Sequence, residues 1–169
     1  MSKRFRIAFS FAGEKRDFVE KVAGILAARF GREHILYDKY HEAEFARPDL
    51  GFHLPTLYHE ETELVVAFLC NDYDEKKWCG IEWNSIYGRI VDRQVKEVML
   101  CRFDQVEGKG LYGIAGFVEL INKIPSQVAD LITERLALNE GLPRDYYTSD
   151  TRVGHDWTIA PPTLDWPVA

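Results

Sequence analysis

The chain holds 169 residues, 46% of them hydrophobic, which is enough for one domain with a full core. Its net charge of −6, with basic residues scattered in short pairs such as Lys15-Arg16 and Lys76-Lys77, argues against direct nucleic-acid binding, which needs a row of cations to neutralise phosphates. No apolar run approaches transmembrane length, and Cys70, Cys79 and Cys101 show no Cys-x-x-Cys spacing, so a reduced cytoplasmic protein without membrane contact is expected.

Residues 5–11 read as a strand ending in Ala12-Gly13. Lys3-Arg4 before it faintly imitates the start of a signal peptide, but Arg6 and Ser10 interrupt the apolar stretch. Over 14–30, apolar residues recur at Phe18, Val22, Ile25, Leu26 and Phe30, the spacing of a helix, with Gly31 as its C-cap. Residues 34–37 form a short strand and 38–47 a polar loop. Pro48 suits the first turn of a helix running to about His59, with Leu50, Leu54 and Leu57 inward and Pro55 placed to kink or end it.

The most apolar strand is 63–70, consistent with burial on both faces. A helix follows over 74–91, with Trp78, Ile81, Ser85, Ile86 and Ile90 near one stripe. Residues 97–103 give a fourth strand, 104–116 a Gly-rich connection and 117–121 a short edge strand. Ser126, after Pro125, is the expected cap of a helix over 126–138. Beyond it the periodicity fails. A domain over 1–138 is therefore expected, followed by a 139–169 tail or linker carrying Pro143, Pro161, Pro162, Pro167, Trp157 and Trp166. Large aromatics normally seek burial, so this tail either docks on its own domain or engages another subunit.

Strands alternating with helices predict an α/β fold: an open parallel sheet of about five strands, order 2-1-3-4-5, with helices on both faces. Ligands of such sheets bind beyond the carboxyl ends of the strands at the switch point. Four segments converge there: 10–13, the loop after Asp38, 71–73, and the helix start carrying Trp78 and Glu82. A carboxylate flanked by Trp78 and Trp83 at this edge is suited to binding a nucleotide and stabilising a cationic sugar. A Glu in the first turns of a helix is also favoured by the macrodipole, with no catalytic duty needed. Similarly, Asp38 at a strand end is often a turn former. His34, His41, His53, His59 and His155 lack ligand spacing with Cys or acids, so no metal is expected.

Three segments, in order and on the appropriate elements, resemble the TIR domain family, in particular bacterial TIR domains of defence systems. They are Ile7-Ala8-Phe9-Ser10-Phe11-Ala12-Gly13-Glu14, Tyr37-Asp38, and Trp78-Cys79-Gly80-Ile81-Glu82. The resemblance spans about residues 4–138 and implies a flavodoxin-like fold. In many members it also implies cleavage of NAD+ at the nicotinamide–ribose N-glycosidic bond, by hydrolysis or cyclisation, on self-assembly in bacterial immune signalling or abortive infection. The family's catalytic Glu, four residues after a Trp, falls on Glu82. The loop after the second strand lines the pocket in the family, which points to Phe45 as its aromatic and Glu42 as its acid. Ser10, Phe11, Ala12, Asp38 and Trp78 complete the expected substrate contacts. The chain departs from the pattern in two places. Ala46-Arg47-Pro48 replaces a frequent Gly, and Ala12-Gly13 follows the first strand where some members carry Arg, with Lys15 and Arg16 displaced.

One carboxylate is chemically sufficient for this reaction. Ordinary glycosidases pair an acid with a nucleophile or base. Nicotinamide in NAD+ is already cationic and leaves neutral, so the protein has only to stabilise the oxocarbenium-like ribose, an electrostatic task. NAD+ is then substrate and no cofactor is needed. Expected partners are NAD+, further copies of the chain through TIR–TIR contacts, and an activating partner or nucleotide-sensing module. A phosphoacceptor receiver domain would need acids after the first strand, and a flavin carrier a Ser/Thr/Gly-rich loop; Ser10-Phe11-Ala12-Gly13 supplies neither. The remaining alternative is a non-catalytic TIR–TIR interaction or scaffold module.

Overall fold

A computed structural model of the chain describes residues 3–70, 95–104 and 116–148. Strand β1 (Phe5–Phe11) lies parallel to β2 (Ile35–Leu36) on one side and to β3 (Thr62–Leu69) on the other. Strands β4 (Val98–Arg102) and β5 (Val118–Glu119) continue the parallel sheet, giving the order β2-β1-β3-β4-β5. The expected topology is therefore the one observed, and β1 has the expected bounds.

Helix α1 (Arg16–Phe30) and the helix over Pro125–Asn139, here α4, cover one face of the sheet. Val19, Val22, Ala23, Leu26 and Phe30 point inward from α1 against Ile7, Phe9, Leu64, Val66 and Phe68. Each large apolar side chain so buried contributes roughly 1.5–3 kcal/mol. The other face packs a smaller cluster, Ala8, Val65, Ala67 and Leu69, against Leu57 and Tyr58 of helix α3 (Leu50–Glu60). Cys70 and Cys101 are buried, and burial pushes the Cys101 thiol up to about 12. Both behave as small apolar residues.

Several local expectations are corrected. The loop after β2 contains a short helix, α2 (Glu42–Phe45). His41 Nε2 lies 2.8 Å from the Ile35 carbonyl, its ring meets Phe5 edge-on at 5.2 Å, and Glu44 pairs with Arg4. One carbonyl of this two-residue edge strand is thereby engaged by a side chain. Helix α3 starts at Leu50, after Pro48, and passes through Pro55 without ending; the Gly51 carbonyl that loses its intrahelical donor belongs to an exposed residue. Ser126 is not the cap of α4. Ile124 is, and its N–H donates to the Gln127 side chain at 3.0 Å with Pro125 in the first turn.

Helix α4 closes through Gly141 at φ +73°, with Gly141 N–H to the Leu138 carbonyl at 3.1 Å and Leu142 N–H to Ala137 at 2.9 Å. This Schellman geometry needs the left-handed conformation that glycine adopts without penalty. It turns the chain back, so that Leu142, Tyr146 and Tyr147 join the core beside Phe30. Residues just past 138 thus pack on the domain. Here Arg6, only 2% exposed, forms ion pairs with Glu63 at 2.6 Å and Glu140 at 2.8 Å. It also donates to the Tyr147 hydroxyl at 2.8 Å, and that hydroxyl donates to Glu140. Burial raises the Glu63 carboxyl above the usual glutamate range despite its partner.

Candidate functional site

Beyond the carboxyl end of β1, the β1–α1 turn, the end of β2, α2 and α3 enclose a cleft of about 490 Å³. Phe9, Phe11 and Gly13 come from β1 and its turn, Leu36 and Asp38 from β2 and its end, Phe45 from α2, and Leu50, Leu54 and Tyr58 from α3. The site exists because a parallel sheet forces β1 and β3 to send their connections to opposite faces, leaving a crevice at the switch point. Tyr58 fixes one wall by donating its hydroxyl to the Phe9 carbonyl. The walls are mainly apolar, as suits flat rings, with charge concentrated at the rim.

That charge is a pair: Arg16 and Asp38. The Arg16 guanidinium donates through Nη1 and Nη2 to the two Asp38 carboxylate oxygens, both at 2.8 Å, and through Nη1 to the Tyr37 hydroxyl at 3.1 Å. It also lies 5.1 Å from the Phe11 ring centre and 5.6 Å from that of Tyr37, over two rings stacked 6.0 Å apart. The hydrogen bonds from Arg16 hold the Asp38 carboxyl below the usual aspartate range. Asp38 is thus ionised throughout the physiological range.

Three sequence-derived candidates, Phe11, Asp38 and Phe45, meet in this cleft. Phe45 is oriented by the His41 ring, 5.8 Å away, and α2 is held by Glu44, which accepts from Arg4 at 2.9 Å and pairs with His53 at 2.9 Å. The Arg4 hydrogen bonds, aided by His53, bring the Glu44 carboxyl down to about 2. Ala12 is half-buried at the strand end beside Gly13 and packs toward the smaller core cluster. Ser10 is fully buried, in register with Ala67 of β3, and does not line the cleft. It sits within the paired part of β1, not beyond its end. Glu42 is exposed at the start of α2 and also lies off the cleft wall. Trp78 and Glu82 lie outside the described residues.

Arg16 is the charged residue of the cleft that sequence reasoning missed. Lys15-Arg16 looks like an ordinary solvated helix start, and only the fold brings Arg16 against a residue 22 positions later. The available signal was an Asp at the end of β2, directly across the switch point from the start of α1.

The structure is an α/β domain with an open parallel sheet in flavodoxin order and a mostly apolar cleft at its switch point, the edge where ligands of such sheets bind. No protein-family model matches the chain. It is 30% identical over 135 residues to a protein of Aquimarina amphilecti named 3′ cyclic ADP-D-ribose synthase AaTIR, a match covering 80% of this chain and 41% of that relative. The chain belongs to the bacterial TIR domains. It spans less than half the length of the relative it matches. Among the described residues, no helix is long and apolar enough to cross a membrane.

Proposed function

We propose that this chain cleaves the nicotinamide–ribose bond of NAD+, with Glu82 as the catalytic carboxylate. The observation that carries the reading is the 30% identity, over 80% of the chain, to a protein named as a synthase of cyclic ADP-ribose. Making a cyclic ADP-ribose requires a new bond at the ribose anomeric carbon, hence a donor with a leaving group there. NAD+ is such a donor. The cleft's apolar walls, with Phe11 and Phe45, and its rim pair add support, because a dinucleotide presents flat rings, sugar hydroxyls and a diphosphate.

In the mechanism, the C–N bond breaks and its electron pair leaves with nicotinamide, which departs neutral. The positive charge passes to the ribose, where the Glu82 carboxylate offsets it and accepts hydrogen bonds from the ribose hydroxyls. Water then captures the anomeric carbon and releases a proton, giving ADP-ribose. Alternatively, a nucleophile within the same molecule captures it, giving a cyclised isomer. Trp78, four residues before Glu82 in the sequence, is a second substrate contact in this reading, while Phe11 or Phe45 stacks on a ring of the substrate. Neighbouring copies complete the site on self-association, and the activity serves bacterial immune signalling.

Chromatographic measurement of nicotinamide and of the ribosyl product, with the protein dilute and then crowded, tests the reading. Release of nicotinamide that Glu82→Ala removes is the expected result. Intact NAD+ in every assembled state would leave a scaffold as the better description.

A further inference from the structure

We propose that the main-chain carbonyl of Gly51 is a specificity-determining acceptor on the cleft wall, freed by Pro55 to take an N–H from a flat ring of the ligand. Helix α3 meets the cleft with Leu50, Gly51, Leu54 and Tyr58, a stripe spaced by three and four residues. Pro55 lies inside the same helix, four residues after Gly51, and has no N–H to donate. The Gly51 carbonyl therefore lacks the donor that a regular helix would give it. The next carbonyl shows the contrast: Phe52 has an N–H four residues later and also accepts the Thr56 hydroxyl at 3.3 Å. Glycine has no side chain, so Gly51 lines the cleft with backbone atoms alone.

The side-chain acceptors of the described wall are engaged. Each Asp38 oxygen takes a hydrogen bond from Arg16, and the Tyr58 hydroxyl is committed to the Phe9 carbonyl. The side chains of Phe11, Leu36, Phe45, Leu50 and Leu54 are apolar. A ring seated against this wall takes water away from the Gly51 carbonyl, which then needs a donor from the ring itself. A primary amide or amine on the ring supplies it. An analogue with an oxo or methyl group in that place strands the acceptor, and that loss outweighs what one good hydrogen bond gains. On the dinucleotide reading, on which the ligand's name rests, this N–H chemistry is present twice: in the nicotinamide carboxamide and in the adenine amine.

The test is calorimetric titration of the full chain with two matched pairs of probes. ADP-ribose is set against its inosine counterpart, whose ring carries an oxo group where adenine has the amine. Nicotinamide is set against 3-acetylpyridine, in which a methyl replaces the amide nitrogen. The member with the N–H is expected to bind about tenfold tighter in one pair, and that pair identifies the ring that Gly51 reads. Pro55→Ala returns an N–H to the helix and closes it onto the Gly51 carbonyl. It is expected to raise the melting temperature and to remove the preference, a combination that a merely structural role for Pro55 would not produce. Equal affinity within both pairs in the wild type overturns the proposal without any variant. A preference that survives in Pro55→Ala also overturns it, as does a wild type that binds none of the four probes. A preference lost in Pro55→Ala, in a protein that leaves NAD+ intact, upholds the acceptor and rejects only the catalytic reading. NAD+ cleavage with no preference in either pair does the reverse.

Discussion

Two arginines mark the two ends of β1, and their surroundings assign them different work. Arg6, at the amino end of the sheet, is 2% exposed and closed in by Glu63, Glu140 and Tyr147. Arg16, beyond the carboxyl end, is 30% exposed and faces a half-exposed Asp38 across an open cleft. Both pairs are short. Burial, not distance, separates a tie that the fold depends on from one that water can relieve, because removing one partner of a buried pair strands the other without water. The Arg6 cluster spans β1, β3, the end of α4 and the segment beyond Gly141, and so joins the two ends of the described domain.

Stability measurements should separate the two arginines clearly. Arg6→Leu leaves the Glu63 and Glu140 carboxylates facing each other in a semi-buried site, and chemical denaturation should register a loss of about 3 kcal/mol. A loss within experimental error would place Arg6 with the weakly contributing surface pairs. Tyr147→Phe removes the hydroxyl that bridges Arg6 and Glu140, with an expected loss of about 1–1.5 kcal/mol by the same method.

Glu44 offers a pH-resolved version of the test. Its folded carboxyl is lowered to about 2 by Arg4, well under the ordinary glutamate range. Its contribution is therefore complete above about pH 4.5 and is lost as pH falls toward 2. The stability gap between wild type and Glu44→Gln should be about 1 kcal/mol at pH 6 and shrink steadily from pH 5 to pH 3. A gap that widens on acidification would reverse the sign of this assignment. The smallest effect belongs to Arg16→Gln, whose partly exposed pair should cost no more than about 0.5–1 kcal/mol. A larger loss would mean that Arg16 serves the fold.

The parts of the fold legible in the sequence are those where periodicity and burial agree. Residues 64–69 are apolar, matching a β3 covered on both faces, and helical spacing marks α1 even though Val19 and Ala23, not Phe18 and Ile25, sit deepest. Strand order followed from alternation and crossover handedness. What local pattern could not supply were the tertiary ties. Helix α2 is held within a polar loop by Arg4, His53 and Ile35, all outside that loop. For Ser10 the sequence leaves open a strand end or a pocket role at the switch point, and strand pairing continues past it to Phe11. In the cleft, Phe11, Asp38 and Phe45 were accessible to motif and topology, whereas Arg16 depended on a contact between α1 and the end of β2.

The most direct test of the functional account is nicotinamide release from NAD+ by the assembled full chain, comparing wild type with Glu82→Gln, which keeps the side-chain shape and removes its charge. Release by the wild type that drops on the order of a hundredfold or more in the variant is the predicted result. Equal release by both proteins would contradict it, showing that the carboxylate carries no part of the chemistry.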